Sequence, residues 1–310
     1  MSGHPAAGNE DPRPVIRGRW PEAGRAILAI LGFYAVVIVA AGLLGVVTPV
    51  VVGKGQGMLP VIAGQSMIAA GSTVFASTLW AVAKWRRFRD QGWPGLAPGL
   101  KGFARGLGFG VLMAAVVLGA ETAVGGIQIE RTGQPVSAYL AFAPLMIWWL
   151  ALAALGEELV FRGFPLSRLA ETTGPVAAAV ILTIGFSGFH LLNPGASALG
   201  LVNVALASLV LSAAFLGWGG LPASWGLHLG WNAGLALLAD APVSGINFGV
   251  PGFRYVRAGP DWLSGGAFGP EGGLVASCVM VCAIVLLGRR TLVPLSAPGT
   301  GDRAEGGVAA

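Results

Sequence analysis

The chain has 310 residues, of which 55% are hydrophobic and only 11% are charged, and its mean hydropathy is +0.73. A soluble domain usually carries about 25% charged residues, so this composition excludes an ordinary soluble globule and predicts a polytopic membrane protein. The formal net charge is +5. The basic residues stand in short clusters beside apolar segments, which is typical of membrane topology and argues against a nucleic-acid partner.

The chain begins with a polar segment, residues 1–25, which is rich in Pro, Gly and Arg and is predicted to be a disordered cytoplasmic tail. A second such tail is expected at residues 291–310. Between the two tails we expect a single transmembrane domain over residues 26–290, because no internal repeat divides it.

The apolar segments of this domain predict an all-α bundle of about eight spans, because a helix needs about 20 apolar residues to cross a bilayer. The approximate limits are 26–52, 60–83, 103–128, 138–160, 174–192, 198–217, 221–239 and 272–288. Basic clusters precede the first span, separate the second from the third, and follow the last. With eight spans all three clusters lie on one side, which places both termini in the cytoplasm of a multi-pass plasma or inner membrane protein.

Three other features of the chain predict structure more than chemistry. Gly102, Gly106 and Gly110 are spaced to allow a close helix contact. Residues 240–270 are rich in Gly, Pro and aromatics, so we expect them outside the membrane as a lid or substrate-facing loop. For Glu121, near the outer end of the third span, a structural hydrogen bond or a water-lined pocket is a simpler explanation than catalysis.

The strongest chemical signal is a pair of adjacent acids, Glu157 and Glu158, at the end of an apolar stretch. A carboxylate in hydrocarbon costs several kcal/mol unless it is paired or lines a wet cavity, so both are functional candidates. Arg162 follows Glu158 at the spacing of a helical ion pair. The sequence therefore predicts a structural role for Glu158 and leaves Glu157 as the freer carboxylate.

Two histidines, His190 and His228, also lie in predicted spans. Hydrogen-bonded packing would explain either one alone, but two of them together with an acidic pair form the set that water activation requires, with or without a metal. His228 and Asn232 are four residues apart, so one helix face presents an imidazole and an amide. Such a pair suits the stabilisation of a developing oxyanion.

The helical rise allows these residues to meet. Glu157 stands about 16 residues before the predicted turn at 173–174 and His190 about 17 residues after it, so the two lie at one level. His228 comes only about 8 residues after the next turn, and it reaches that level if the first hairpin projects farther into the cytoplasm. We therefore expect the site in the cytoplasmic half of the membrane.

Three motifs with these residues resemble those of the CAAX-protease and bacteriocin-processing family of intramembrane endopeptidases, which includes the Ras-converting prenyl protease. The family patterns EExxxR, FxxxH and HxxxN read here as EELVFR at 157–162, FSGFH at 186–190 and HLGWN at 228–232. The resemblance covers about 138–240, which is the expected protease core. The segment from Asp261 to Glu271 is also similar to the outer loop that often precedes the last span in this family.

The resemblance implies a role for each motif residue. Glu157 would be the catalytic base that activates water, assisted by His190. His228 and Asn232 would hold the oxyanion of the tetrahedral intermediate. The other two motif residues would orient the site: Glu158 and Arg162.

The resemblance leaves two mechanisms open. If zinc is used, its ligands would be Glu157, His190 and His228, because zinc catalysis generally takes three protein ligands and a water. The chain lacks an HExxH motif, which favours the glutamate mechanism with no required cofactor.

Two other function classes also remain open on sequence alone: a catalytically silent binding or immunity protein, and a transporter that uses Glu157 and the histidines as a proton relay. The Gly- and Ala-rich composition and short loops indicate a bacterium, and the expected partners are membrane lipid and a membrane-associated peptide or protein substrate. A leader peptide, a bacteriocin precursor and a surface-protein tail all fit this class, and the oligomeric state is open.

Overall fold

The computed structural model describes residues 19–52, 58–83 and 87–291, and most of these residues are helical. The α-helices of this part are α1 (Arg19–Val52), α2 (Met58–Val82), α3 (Leu96–Ala123), α4 (Val136–Phe161), α5 (Phe164–Thr173), α6 (Pro175–Phe189), α7 (Ala198–Trp218), α8 (Leu221–Ala239), α9 (Asp261–Ser264) and α10 (Leu274–Thr291). Two strands, β1 (Ile127–Arg131) and β2 (Phe253–Arg257), pair with each other. The predicted helical bundle is confirmed.

Each predicted span coincides with a helix, namely α1 to α4, α6 to α8 or α10. Within the described part of the chain, four helical stretches are long and apolar enough to cross a membrane: Glu22–Pro49, Phe88–Ala123, Val136–Thr173 and Ala198–Trp218. Two further apolar helices, Pro175–Phe189 and Leu274–Gly288, are shorter. These helices are those of a membrane protein, while the count of eight spans and the cytoplasmic position of the termini stay predictions.

Several predicted limits differ from those of the helices; α3, for example, already begins at Leu96 instead of 103. Helix α1 begins at Arg19, so it includes 19–25 of the predicted tail, and an acid at Glu22 in its first turn complements the helix dipole. Helix α3 ends at Ala123 instead of 128, because Gly125 takes a left-handed conformation with φ 74° and turns the chain into β1. The rest of the two predicted tails, residues 1–18 and 292–310, lies outside the described residues.

The two-stranded sheet is the departure from an all-α fold. Strands β1 and β2 run antiparallel, with Ile127 opposite Arg257 and Arg131 opposite Phe253. Ile127 is fully buried in the hydrophobic core, while the remaining β1 side chains are exposed. The sheet therefore ties the loop after α3 to the segment that precedes α10.

The hairpin that follows the acidic pair forms as the sequence predicts. Gly163, with φ −65° and ψ −117°, separates α4 from α5, and Pro165 lies in the first turn of α5, where its missing N–H costs nothing. Gly174, with φ 84°, then reverses the chain into α6, which starts with Pro175. The predicted turn at 173–174 is thus confirmed.

The close contact predicted from the glycine run is confirmed, and the partner is α8. A Cβ atom on Gly106 would stand 2.1 Å from the carbonyl oxygen of Ala223, and one on Gly110 would stand 2.2 Å from that of Leu227. The glycines of α8 do the same in return, since a Cβ atom on Gly230 would stand 2.2 Å from the oxygen of Leu107. Small residues on both helices let the two backbones touch.

Helix α8 is the centre of the bundle. Sixteen of its nineteen residues are buried, and α3, α4 and α7 pack around it. Helices α1 and α2 lie farther out and expose large apolar side chains such as Leu28 and Val46. The third sequence motif therefore stands on the most enclosed helix of the protein.

Candidate active site

The two adjacent acids at the end of α4 face different surroundings. The Glu157 side chain is 26% exposed, and its Oε2 atom lies 3.9 Å from His190 Nε2 and 4.0 Å from His228 Nε2. That oxygen accepts no hydrogen bond from another described residue. Glu158 is fully buried. The structure thus brings Glu157 together with both predicted histidines, and it separates the two acids as the helical geometry predicts.

His190 ends α6, and a backbone carbonyl fixes its ring. Its Nδ1 atom lies 2.8 Å from the carbonyl oxygen of Phe186, which can only accept a hydrogen bond. Nδ1 therefore carries a hydrogen, and Nε2 faces Glu157. The Phe186 ring packs against the imidazole at a centroid distance of 4.7 Å.

His228, in the middle of α8, is fixed by a carboxylate instead. Its Nδ1 atom lies 2.9 Å from Glu158 Oε1. Glu158 also accepts hydrogen bonds from Arg162 Nη1, at 3.2 Å, and from the hydroxyl of Ser224. A carboxylate that receives several donors is ionised, so His228 donates from Nδ1. Sequence reasoning missed this contact, because it paired Glu158 with Arg162 alone.

Arg162 follows α4 and is 1% exposed. The predicted ion pair with Glu158 is present. The other end of the guanidinium donates to the hydroxyl of Ser208 on α7, at 2.9 Å, and to its carbonyl oxygen, at 3.2 Å. The guanidinium carbon also lies 4.3 Å from the centre of the Phe186 ring. Arg162 therefore connects α4 to α6 and α7, and it is linked to α8 through Glu158, which contacts His228.

The charges of this cluster decide the state of His228. The carboxylates of Glu157 and Glu158 carry two negative charges, and the Arg162 guanidinium carries one positive charge. His228 lies within 4.0 Å of both carboxylates, so a second proton on its ring makes the cluster neutral. Uncompensated charge is costly in a buried site. We therefore assign the imidazolium form to His228.

A cavity adjoins the two histidines. His190, His228 and Asn232 line one part of it, and the remaining wall is mostly apolar, with Met113, Val204, Leu211 and Met280 among its residues. Its empty volume is about 460 Å³, including space that is open to solvent. The Asn232 side chain is half-buried, and the structure gives it no hydrogen bond to another described residue. All four residues predicted to be catalytic thus lie at or beside this cavity.

The three atoms that could bind zinc stand farther apart than the ligands of a tetrahedral zinc ion. In a tetrahedral site with ligand bonds of about 2.0–2.2 Å, neighbouring ligand atoms stand about 3.3 Å apart. The Glu157 oxygen lies 3.9 and 4.0 Å from the two Nε2 atoms. Across the described residues, no group of three or more His, Cys, Asp or Glu side chains is arranged to hold a metal ion.

Glu271 was missed as a site residue. It follows α9, is 6% exposed and lines the same cavity as the histidines. Its carboxylate accepts hydrogen bonds from Trp231 Nε1, at 2.7 Å, from the Ser244 hydroxyl, at 2.8 Å, and from the Ser244 backbone N–H. The signal was an acid just before an apolar span, but the sequence analysis noted it only as part of a loop. Residues 240–273, which join α8 to α10 and include the predicted loop 240–270, are called the cap segment below.

Glu121 lies elsewhere. It is fully buried on α3, and it is not among the residues that line the cavity. Both of its carboxylate oxygens are without a hydrogen-bond partner in the described part of the chain. The structural hydrogen bond that we expected for it is therefore not found.

Residues 139–234 match the family model described as Type II CAAX prenyl endopeptidase Rce1-like. The matched segment contains all three motifs and lies within the predicted core at 138–240, so the resemblance indicated by the motifs is confirmed for this part of the chain. No curated protein and no solved structure matches the chain significantly. The family match supports a CAAX-type intramembrane endopeptidase in general.

Proposed function

Because the chain carries an Rce1-like CAAX endopeptidase domain on apolar helices, we propose that it hydrolyses a peptide bond in a membrane-associated peptide or protein tail with water activated by Glu157 and His190. The observation that carries this proposal is the convergence of one carboxylate oxygen and two imidazole nitrogens within 4.0 Å beside a cavity. A proton-accepting carboxylate within reach of a water is what general base catalysis requires.

The distances suit a water molecule better than direct bonds. Hydrogen bonds between such atoms measure about 2.7–3.2 Å, and polar contacts longer than about 3.5 Å are often bridged by water. A water among these groups donates one hydrogen to Glu157 Oε2 and the other to His190 Nε2, which presents a lone pair. The oxygen of that water then keeps a lone pair for attack on a carbonyl carbon.

These groups account for every proton and bond in the hydrolysis. The water oxygen bonds to the carbonyl carbon, its proton passes to Glu157, and the electron pair of the C=O bond moves to the carbonyl oxygen. This oxyanion accepts hydrogen bonds from His228 Nε2–H and from the Asn232 amide. When the C–N bond breaks, the proton on Glu157 passes to the departing nitrogen, which leaves an amine and a carboxylic acid.

Glu158 and Arg162 act through His228 in this scheme. The Glu158 carboxylate holds Nδ1–H, which points Nε2 at the reacting atoms and stabilises the imidazolium. Arg162 holds Glu158 and is itself anchored to Ser208. Neither residue touches the substrate, so both are positioning residues.

The proposed setting is a multi-pass protein of the plasma or inner membrane, with the site in the cytoplasmic half. Its partners are membrane lipid and the substrate, which belongs to the class of leader peptides, bacteriocin precursors and surface-protein tails. No cofactor is required on this mechanism.

The test is cleavage of a fluorogenic peptide library by purified protein in detergent or liposomes. We expect Glu157→Ala to lower turnover by about 10²- to 10⁴-fold, the usual worth of a general base, and a strong zinc chelator to leave the wild type unchanged. Glu130→Ala, which changes an exposed acid on β1, is the matched control for an acid-to-alanine substitution outside the site. Full turnover by Glu157→Ala would overturn the proposal, and loss of wild-type turnover in the chelator would replace the glutamate mechanism by a zinc one.

A further inference from the structure

Glu271 is a charged group of the cavity that the mechanism above does not use. Its donors, the Trp231 indole and the Ser244 hydroxyl and backbone N–H, are all neutral. Among the described residues, no Lys, Arg or His forms an ion pair with it, whereas Glu157 and Glu158 both have positively charged neighbours. The cavity thus contains one buried negative charge without a counter-charge.

The hydrogen bonds leave Glu271 with acceptor capacity to spare. A carboxylate offers about four lone-pair sites. Oε2 receives two hydrogen bonds from Ser244, while Oε1 receives only the one from Trp231. One site on Oε1 is therefore open to a further donor, on a side chain that lines the cavity.

The position of Glu271 relates this open site to the reaction. Trp231 and His228 are three residues apart on α8, which is about 4.5 Å along the helix axis. The indole of Trp231 reaches Glu271, while the imidazole of His228 lies beside Glu157. A substrate held at the histidines therefore places the side chain beside its scissile bond, or the next one, toward Glu271.

We propose that Glu271 is the specificity site for a cationic side chain, lysine or arginine, within two residues of the scissile bond. The inference rests on the proposed function and names its substrate class. The ammonium or guanidinium group supplies both the missing counter-charge and the missing donor, and hydrogen bonds between charged groups are the strong ones.

The rest of the cavity fits such a side chain. Lysine and arginine carry an apolar stem of three or four methylene groups, which packs against apolar surface while the charged head reaches a polar group. The wall contains Met113, Val204, Leu211 and Met280. These side chains receive the stem, and Glu271 receives the head.

Glu271 also ties the cap segment to α8, and a purely structural role would be the simpler explanation. The two roles differ in what they do to selectivity. If Glu271 is only structural, its substitution weakens the binding of all peptides equally. If it is a specificity site, removal of its charge abolishes the tighter binding of the cationic peptide and leaves the binding of the neutral peptide unchanged.

The experiment uses three apolar peptides that share one sequence and carry lysine, norleucine or glutamate at the same position. Their binding is measured in detergent to the full chain with Glu157→Ala, which keeps the cavity and cleaves too slowly to consume the peptides during the measurement. We expect the lysine peptide to bind about 10- to 100-fold more tightly than the norleucine peptide, the range expected for a charge-assisted hydrogen bond, and the glutamate peptide to bind most weakly. Equal binding of the three peptides would overturn the inference.

The second arm adds Glu271→Gln, which removes the charge and keeps the shape, and Ser244→Ala, which removes one neutral donor and keeps the charge. The lysine preference should disappear in the first variant and persist in the second. A uniform loss for all peptides in Glu271→Gln would show a structural role only. If Glu271→Gln does not fold, the order of the three peptides on the Glu157→Ala protein still decides.

The two proposals fail in different ways. Absence of cleavage by the wild type, or cleavage that survives Glu157→Ala, counts against the endopeptidase. The order of peptide binding is measured without turnover, so it tests the specificity role of Glu271 independently of the cleavage assay.

Discussion

Two buried polar regions in this apolar bundle make an instructive comparison. The motif cluster consists of Glu157, Glu158, Arg162, His190 and His228. The cap cluster consists of Asn203, Trp231, Ser244 and Glu271. Both hold carboxylates away from bulk water, and both contact α8.

The two clusters differ in how their charges are compensated. In the motif cluster the positive charges of Arg162 and His228 offset the two carboxylates. In the cap cluster the Glu271 carboxylate has only neutral donors. The motif cluster is therefore electrically complete without a ligand, as a preorganised catalytic centre should be, while the cap cluster gains its counter-charge from a substrate.

The largest effect is expected inside the motif cluster, between its two adjacent acids. Glu157→Gln should lower turnover by about 10²- to 10⁴-fold, because the variant has no base. It should leave the thermal unfolding temperature nearly unchanged, since Glu157 is partly exposed and its Oε2 has no hydrogen-bond partner among the described residues. Parallel turnover and unfolding measurements in detergent check this, and a large loss of stability would contradict it.

Glu158→Gln should destabilise the fold instead. The change leaves Arg162 buried without its anion, and breaking a buried ion pair from one side costs about 3–5 kcal/mol. Turnover should also fall, because Nδ1 of His228 loses the carboxylate that orients it. Chemical unfolding of both variants in the same detergent measures the difference in stability. Equal stability of Glu157→Gln and Glu158→Gln would contradict the assignment of a catalytic role to Glu157 and a structural role to Glu158.

A substitution on α3 tests how both clusters depend on the close packing of α8 against α3. In Gly106→Ala the new Cβ atom would stand 2.1 Å from the Ala223 carbonyl oxygen, so the helices must separate. Overpacking of this kind costs about 1–3 kcal/mol. We expect a lower unfolding temperature and reduced turnover, because α8 carries both His228 and Trp231.

Gly108→Ala is the matched control, since no atom lies within 4 Å of its Cβ position. It should be as stable as the wild type or slightly more so, because alanine favours the helix. If the two glycine variants behave alike, the close approach of α3 and α8 does not support the site.

Asn203 supports the cap cluster alone. Its Nδ2 donates to the backbone oxygens of Glu271 and Gly273, at 2.7 and 2.8 Å. Asn203→Ala leaves the backbone oxygen of Glu271 without this donor and the oxygen of Gly273 with only the long contact to Ser277 N–H, at 3.4 Å. Loss of a donor to a buried acceptor costs about 1–3 kcal/mol. Peptide selectivity should weaken more than turnover of a neutral peptide, and the ratio of the two rates measures this. A proportional loss of both rates would mean that the cap cluster does not act on selectivity.

The sequence predicted the motif cluster far better than the cap cluster. Glu157, Glu158 and Arg162 lie on one helical stretch, so the spacing alone separates the freer acid from the paired one. His190 and His228 stand in apolar segments, where any ionisable side chain is conspicuous. The Glu158–His228 contact was not predicted, because it depends on how α8 lies against α4.

The cap cluster depends on contacts between residues far apart in sequence. Glu271 meets Trp231 and Ser244 only after the cap segment has folded back over α8, with β2 paired to β1. A Gly- and Pro-rich loop has no sequence periodicity from which its path could be predicted, and strands as short as these are hard to recognise in the sequence. The eight helix positions were predictable because length and hydropathy determine them, whereas the sheet and the early end of α3 depended on turn glycines.

Substitution of Asp240 is expected to have the smallest effect of those considered. Asp240 is a second buried acid of the cap segment, so it tests whether any uncompensated charge there affects peptide selectivity or only that of Glu271. It follows α8 in a left-handed conformation with φ 52°, and its Oδ1 accepts a hydrogen bond from the Val250 backbone N–H at 2.7 Å. Burial raises the pKa of its carboxyl. Because the folded-state pKa is raised, its contribution to stability is present at low pH and is lost as the pH rises through that pKa.

Asp240→Asn should therefore be neutral or stabilising by up to about 1 kcal/mol at pH 7, since asparagine tolerates the left-handed conformation, keeps the acceptor and removes the buried charge. Its unfolding temperature should also vary less between pH 4 and pH 7 than that of the wild type, where about 1.4 kcal/mol corresponds to each unit of pKa difference. Peptide selectivity should not change, because Asp240 does not line the cavity. Were Asp240→Asn to abolish the lysine preference, the charge of the cap segment as a whole, and not the carboxylate of Glu271, would set it.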